Sequence, residues 1–142
     1  MKRFVIPERP RHTAQELTDF AGAQPGGSLR AALANAMVGL KKQYYGRGPT
    51  AAKAWILDDY VFVALEGGLT RSEETMLADG KEDEVRAYRL SFQETVGEAA
   101  MGAVAELTGR NVRTYHSQIV FEPARTFEIL VLESAPEESN RS

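Results

Sequence analysis

Residues Tyr44–Thr70 read YYGRGPTAAKAWILDDYVFVALEGGLT, and the way this stretch folds decides the architecture. Trp55–Asp58 and Tyr60–Leu65 are short runs rich in aromatic and branched residues, joined at Asp58-Asp59, the pattern of a β-hairpin. Tyr60–Leu65 is apolar on both alternating faces, which predicts a central strand. Pro49 to Lys53 is compatible with a first helical turn, since proline suits that position; an extended approach into the first strand is the preferred reading. An antiparallel hairpin sets the start of its first strand beside the end of its second. Gly46-Arg47-Gly48-Pro49-Thr50 and Glu66-Gly67-Gly68-Leu69-Thr70 are therefore expected at the same end of the hairpin.

Working outward, Ser28 is a good N-cap. Leu29, Leu33, Met37, Leu40 and Tyr44 then recur every three or four residues, one apolar stripe of a helix. Gly46, with Pro49 beyond it, stops that helix. Thr70-Arg71-Ser72-Glu73 is a capping box opening a short helix that Gly80 closes. Val85, Tyr88, Phe92, Val96, Ala99, Ala103 and Leu107 predict one long helix from Glu82 to Thr108, ended by Gly109. Gly97 and Gly102 within it would admit close approach of another helix. Val112–Phe121 and Phe127–Leu132 read as strands separated by a turn at Pro123. The order helix-strand-strand-helix-helix-strand-strand gives an α+β domain, with a four-stranded, mainly antiparallel sheet and helices on one face. The uncovered face predicts a homodimer.

The domain is expected over residues 28–133. It follows a mobile N-terminal arm, residues 1–27, with one short helix at Ala14–Phe20, and precedes a disordered tail, 134–142. A chain of 142 residues with 43% hydrophobic content suits one domain that buries roughly 68–70% of its unfolded surface. No cysteine is present, which removes disulfides, thiolate nucleophiles and zinc-thiolate centres together. A net charge of −3 argues against nucleic acid as partner. No apolar run reaches the roughly 20 residues a bilayer span needs, and the start MKRFVIPERPRH lacks the apolar core of a signal peptide. A soluble, cytoplasmic protein is expected.

Arg47 between two glycines, and Gly67-Gly68 before a helix N-terminus, both offer backbone N–H groups to an anion. With Gly48, Thr50, Glu66 and Thr70 they would frame one pocket; the alternative is that the glycines only cap a helix and turn the chain. Arg89 lies beside the apolar stripe of the long helix, where it needs a carboxylate, a bound anion or a path to water. Glu66 or Asp59 is its expected structural partner. His116 and Ser117 are neighbours on a strand and point to opposite faces, so they do not work together as base and nucleophile. Glu73-Glu74 and Glu82-Asp83-Glu84 read as solvated helix starts. No catalytic pair or triad, metal-ligand set or cofactor fingerprint emerges.

Asn35-Ala36, Tyr44-Tyr45-Gly46-Arg47-Gly48-Pro49 and Leu65-Glu66-Gly67-Gly68-Leu69-Thr70 together resemble the MpsC-like family. That family takes its name from a Na+-translocating membrane-potential-generating system. Glu73, Leu77, Gly80, Val85, Arg89 and Phe92 fall at similar spacings. Leu107-Thr108-Gly109-Arg110-Asn111-Val112 and Ile129-Leu130-Val131-Leu132-Glu133 complete a likeness over residues 28 to 133. The resemblance implies a small domain without an established active site and a partner in membrane cation transport, to which it would be peripheral. Three readings follow: an accessory or regulatory protein acting by protein contacts, a sensor of a small anionic ligand, and an enzyme with Glu66 and His116 as first candidates.

Overall fold

A computed structural model describes residues 27–134; the expected arm, its Ala14–Phe20 helix and the residues after 134 lie outside the described residues. Helix α1 spans Gly27–Tyr45, strands β1 and β2 span Ala51–Leu57 and Tyr60–Glu66, and helix α2 spans Arg71–Ala78. Helices α3 (Glu82–Ser91) and α4 (Gln93–Thr108) lead into β3 (Val112–Val120) and β4 (Arg125–Leu132). The sheet order is β1-β2-β4-β3, antiparallel throughout. This is the α+β architecture the sequence predicts, with β2 central, the approach to β1 extended and the helices on one face. Asp58 takes the left-handed conformation (φ 54°) in the two-residue hairpin turn, a turn chemistry aspartate tolerates.

Along each strand alternate side chains face the helices. Ala52 and Ala54 of β1, Val61, Val63 and Leu65 of β2, and Leu130 and Leu132 of β4 meet Leu33, Ala34 and Met37 of α1 and Ala100 and Val104 of α4. Leu33, Met37, Val61 and Leu130 are wholly buried; each such side chain contributes about 1.5–3 kcal/mol relative to exposure. The opposite face carries a row running across all four strands, Trp55, Phe62, Ile129 and His116. Beside it stand Phe127, Tyr60 and Leu57, and no helix among the described residues covers them.

The run expected as a single helix is two. Phe92 (φ −90°, ψ −10°) separates α3 from α4, and its N–H reaches back three residues to the Arg89 carbonyl, a tightened last turn. No proline causes the break. Phe92 stacks on Tyr45 and meets Tyr88 at a tilt of 44°, each with ring centroids 5.1 Å apart, while α3 packs on α2 and α4 packs on α1 and β3. Two halves with different packing partners do not share one axis. Gly97 also differs from expectation: it admits a strand residue rather than a helix. A β-carbon there would stand 2.8 Å from Cδ2 of Tyr115, so the glycine lets the tyrosine ring lie against the helix backbone. Around Gly102 there is open space.

Candidate functional site

The hairpin does bring the two glycine segments together. The Thr50 N–H donates to the Glu66 carbonyl at 2.8 Å, and Arg47 Nη1 donates to the Leu69 carbonyl at 3.0 Å. Gly67 and Gly68 have φ values of +70° and +87°, and β-carbons on them would meet Thr50 Oγ1 at 3.0 Å and the Pro49 nitrogen at 3.2 Å. The segments thus lie chain against chain, which requires glycine both for the left-handed backbone and for the close approach. Gly48 is closely approached without a left-handed backbone, a β-carbon there standing 3.2 Å from Cβ of Lys42. Arg47 also stands 3.7 Å from the exposed carboxylate of Glu74.

At the N-terminus of α2 the expected capping box is complete. Thr70 Oγ1 accepts from the Glu73 N–H, and Glu73 Oε1 accepts from the Thr70 N–H at 2.9 Å. Glu73, however, is not the solvated residue its position suggests: it is 2% exposed. Its partner is Arg89, which donates from Nε and Nη2 to the two carboxylate oxygens at 2.6 Å each. Arg89 also donates to the Gly68 carbonyl at 3.2 Å and lies 4.0 Å over the Tyr45 ring. Arg89 therefore pairs with Glu73, whereas Asp59 pairs with Arg110 at 2.5 Å. A negative group at a helix N-terminus is stabilising, and here the chain supplies its own. Burial by itself would raise the Glu73 pKa; the hydrogen bonds and charge of Arg89, with those of Thr70, outweigh it and hold the carboxyl below its ordinary value.

A second polar cluster sits under the sheet, and sequence reasoning missed it. Lys41 and Glu128, with side chains 6% and 0% exposed, form an ion pair at 2.9 Å. Ser117 Oγ donates to Glu128 Oε2 at 2.7 Å, and the Tyr115 hydroxyl donates to Oε1. Lys41 follows Ala34 and Met37 on the buried side of α1, and that spacing was its one available signal. Glu128 was hidden better, because its strand neighbours Phe127, Ile129 and Val131 look more like the core face than its own row does. Burial, then the charge and hydrogen bond of Glu128, push the Tyr115 phenol far up, so it stays a donor. Tyr45 is pushed up to about 12, chiefly by burial and against the pull of Arg89.

These groups border a cavity of about 220 Å³ between α1, the junction of α3 and α4, and β3. Its polar lining includes Lys41, Tyr45, Arg86, Gln93 and Ser117; Leu90, Val96 and Ile119 form apolar wall. Of the ligand-site candidates named from sequence, Arg89 alone borders it. The others gather at the glycine loops.

Ser117 points inward to Glu128 while His116, on the outer row, meets Thr114 Oγ1 at 3.1 Å; the strand separates the two as expected. Glu66 pairs across to Arg125, and His116 pairs to Ile129, four residues along β4 from Arg125. At about 3.4 Å per residue and 4.8 Å per strand the two lie beyond contact, and they do not form a catalytic pair. Among the described residues, no group of three or more His, Asp or Glu side chains is placed to hold a metal ion. No helix among them is long and apolar enough to cross a membrane.

Comparison with known proteins agrees with the likeness carried by the glycine loops. Uncharacterized protein YbcI of Bacillus subtilis strain 168 is 27% identical over 95 residues, covering 66% of this chain and 76% of the relative. No solved structure matches. The family described as Na+-translocating membrane potential-generating system (MpsC) matches residues 26–134, which span every described helix and strand, and the chain belongs to that family.

Proposed function

We propose that this chain is an accessory or regulatory component of a cation-translocating membrane system. It acts by protein contact from the cytoplasmic side, peripheral to the bilayer. The observation that carries the reading is the apolar face of the sheet that no described helix covers. Trp55 and Phe127 are 43% and 42% exposed, and Tyr60 and Leu57 are 45% and 60% exposed. Contiguous apolar surface of this kind marks an interaction site more often than chance exposure does, and aromatic residues are the usual anchors of such contacts. The family description, which names a Na+-translocating system, supports that class of partner. The glycine loops, by contrast, direct donors to the chain itself, Thr50 to Glu66, Arg47 to Leu69 and Gly67 to Ala124, which supports a structural role for them within the contact domain.

The test is a photo-crosslinking residue placed at position 55, or at 127, in the full chain in native cells, with Glu106 on the helical side as control position. Cross-links from the sheet face to a component of a cation-translocating membrane complex are the expected result. Cross-links only between copies of this chain would replace the reading with a homodimer. Equal labelling from position 106 would remove the sheet face as the contact.

A further inference from the structure

We infer that the cavity beneath β3 is a binding site for a small organic anion with an apolar body, such as a short or aromatic carboxylate. The site is separate from both the glycine loops and the outer sheet face. Its polar lining is made of donors that the fold leaves with capacity. The ammonium of Lys41 has three N–H groups, and among the described residues Glu128 is its hydrogen-bonding partner. Arg86 uses Nη1 on the Ile119 carbonyl at 2.9 Å, while its Nη2 stands 3.8 Å from Glu82, beyond a hydrogen bond. No hydrogen bond among the described residues engages the Tyr45 hydroxyl or the side-chain amide of Gln93.

The charge balance gives the sign of the ligand. Arg89 is neutralised by Glu73 and Lys41 by Glu128, so the guanidinium of Arg86, near the mouth, is the cation left loosely paired. Donors from α1 and from the junction of α3 and α4, with one weakly compensated positive charge, suit one negative group. Apolar wall from Leu90, Val96 and Ile119 suits a hydrocarbon body rather than a bare inorganic ion. The volume of about 220 Å³ lies below the roughly 300–1,000 Å³ of drug-sized sites, which favours a metabolite of few atoms. Leu90, Gln93 and Tyr115 also border a wider groove running to His116, which gives the ligand a way in.

The experiment is an NMR titration of the full chain with benzoate, benzamide and inorganic phosphate, followed through backbone and side-chain amide shifts. Saturable benzoate shifts are expected at Gln93, Ser117 and Ile119, with neutral benzamide and phosphate each binding at least about tenfold more weakly. Arg86→Gln, at a side chain 43% exposed and thus compatible with folding, should weaken benzoate about tenfold or more, the loss of one charged hydrogen bond. Absence of saturable shifts at millimolar benzoate overturns the proposal. So does benzamide binding as well as benzoate, phosphate matching it, or an Arg86→Gln variant with unchanged affinity.

Discussion

Replacing Arg89 with methionine tests whether the Arg89–Glu73 pair is a structural element of the fold. The side chains are 11% and 2% exposed, so the pair belongs with buried ion pairs, not with surface pairs worth about 0–1 kcal/mol. Methionine keeps much of the apolar stem over Tyr45 but removes both hydrogen bonds to Glu73. A carboxylate is then left buried with only Thr70 as donor. Breaking a buried pair in this way costs about 3–5 kcal/mol, a large share of the ~5–15 kcal/mol that holds a domain together. Urea unfolding at pH 7 measures it, as a drop in midpoint at unchanged slope. The double variant Arg89→Met/Glu73→Gln removes the stranded charge, and glutamine still completes a capping box. Its loss should stay below about 1.5 kcal/mol, well short of the Arg89→Met loss. A single variant that loses less than about 1 kcal/mol, or a double variant as unstable as Arg89→Met, would refute the reasoning.

The same pair sets a pH dependence. The Glu73 carboxyl is held below its ordinary value in the folded chain, so its contribution is present above the unfolded pKa of about 4.3 and is lost as pH falls through the folded value. In Arg89→Met the buried, unpartnered carboxyl shifts upward instead, and the cost of the substitution should shrink below about pH 5; urea midpoints across pH 3–7 read both trends. Glu128→Gln leaves Lys41 buried without its counter-charge and should cost about 3–5 kcal/mol, most of it recovered in Lys41→Met/Glu128→Gln, again by urea unfolding. Gly97→Ala and Gly102→Ala should differ in sign by thermal melting. Alanine at 102 enters open space and gains about 0.5–1 kcal/mol of helix preference. At 97 it drives into a Tyr115 ring tethered through its hydroxyl to Glu128, an overpacking that costs about 1–3 kcal/mol before that gain.

The elements were legible where a local rule sufficed. The Thr70 capping box, the left-handed glycines 46, 80 and 109, and the Asp58-Asp59 hairpin turn all follow from the chemistry of a few adjacent residues. The break at Phe92 was not legible, because the stripe of α3 and α4 is continuous in sequence and only the diverging partners of the two halves interrupt it. The candidate site divides in the same way. That the glycine loops meet is a consequence of hairpin geometry, but that they close on each other depends on side-chain contacts across the turn. Arg89 announced a need for a partner; Glu73, sixteen residues earlier and disguised as a solvated helix start, could be found only in space.

Strand β4 shows the limit most plainly. Its alternation separates Phe127, Ile129 and Val131 from Thr126, Glu128, Leu130 and Leu132, and hydrophobicity alone would send the first set inward. The fold does the opposite. Apart from the break at Phe92, the sequence by itself determined which segments are helices and strands, their order and the hairpins, since those depend on periodicity and caps within a few residues. Only the tertiary structure decided which face of the sheet the helices cover. That choice rests on Lys41 of α1, Tyr115 and Ser117 meeting Glu128 across 87, 13 and 11 residues, a satisfied buried network that leaves the apolar row of Trp55, Phe62 and Ile129 facing outward.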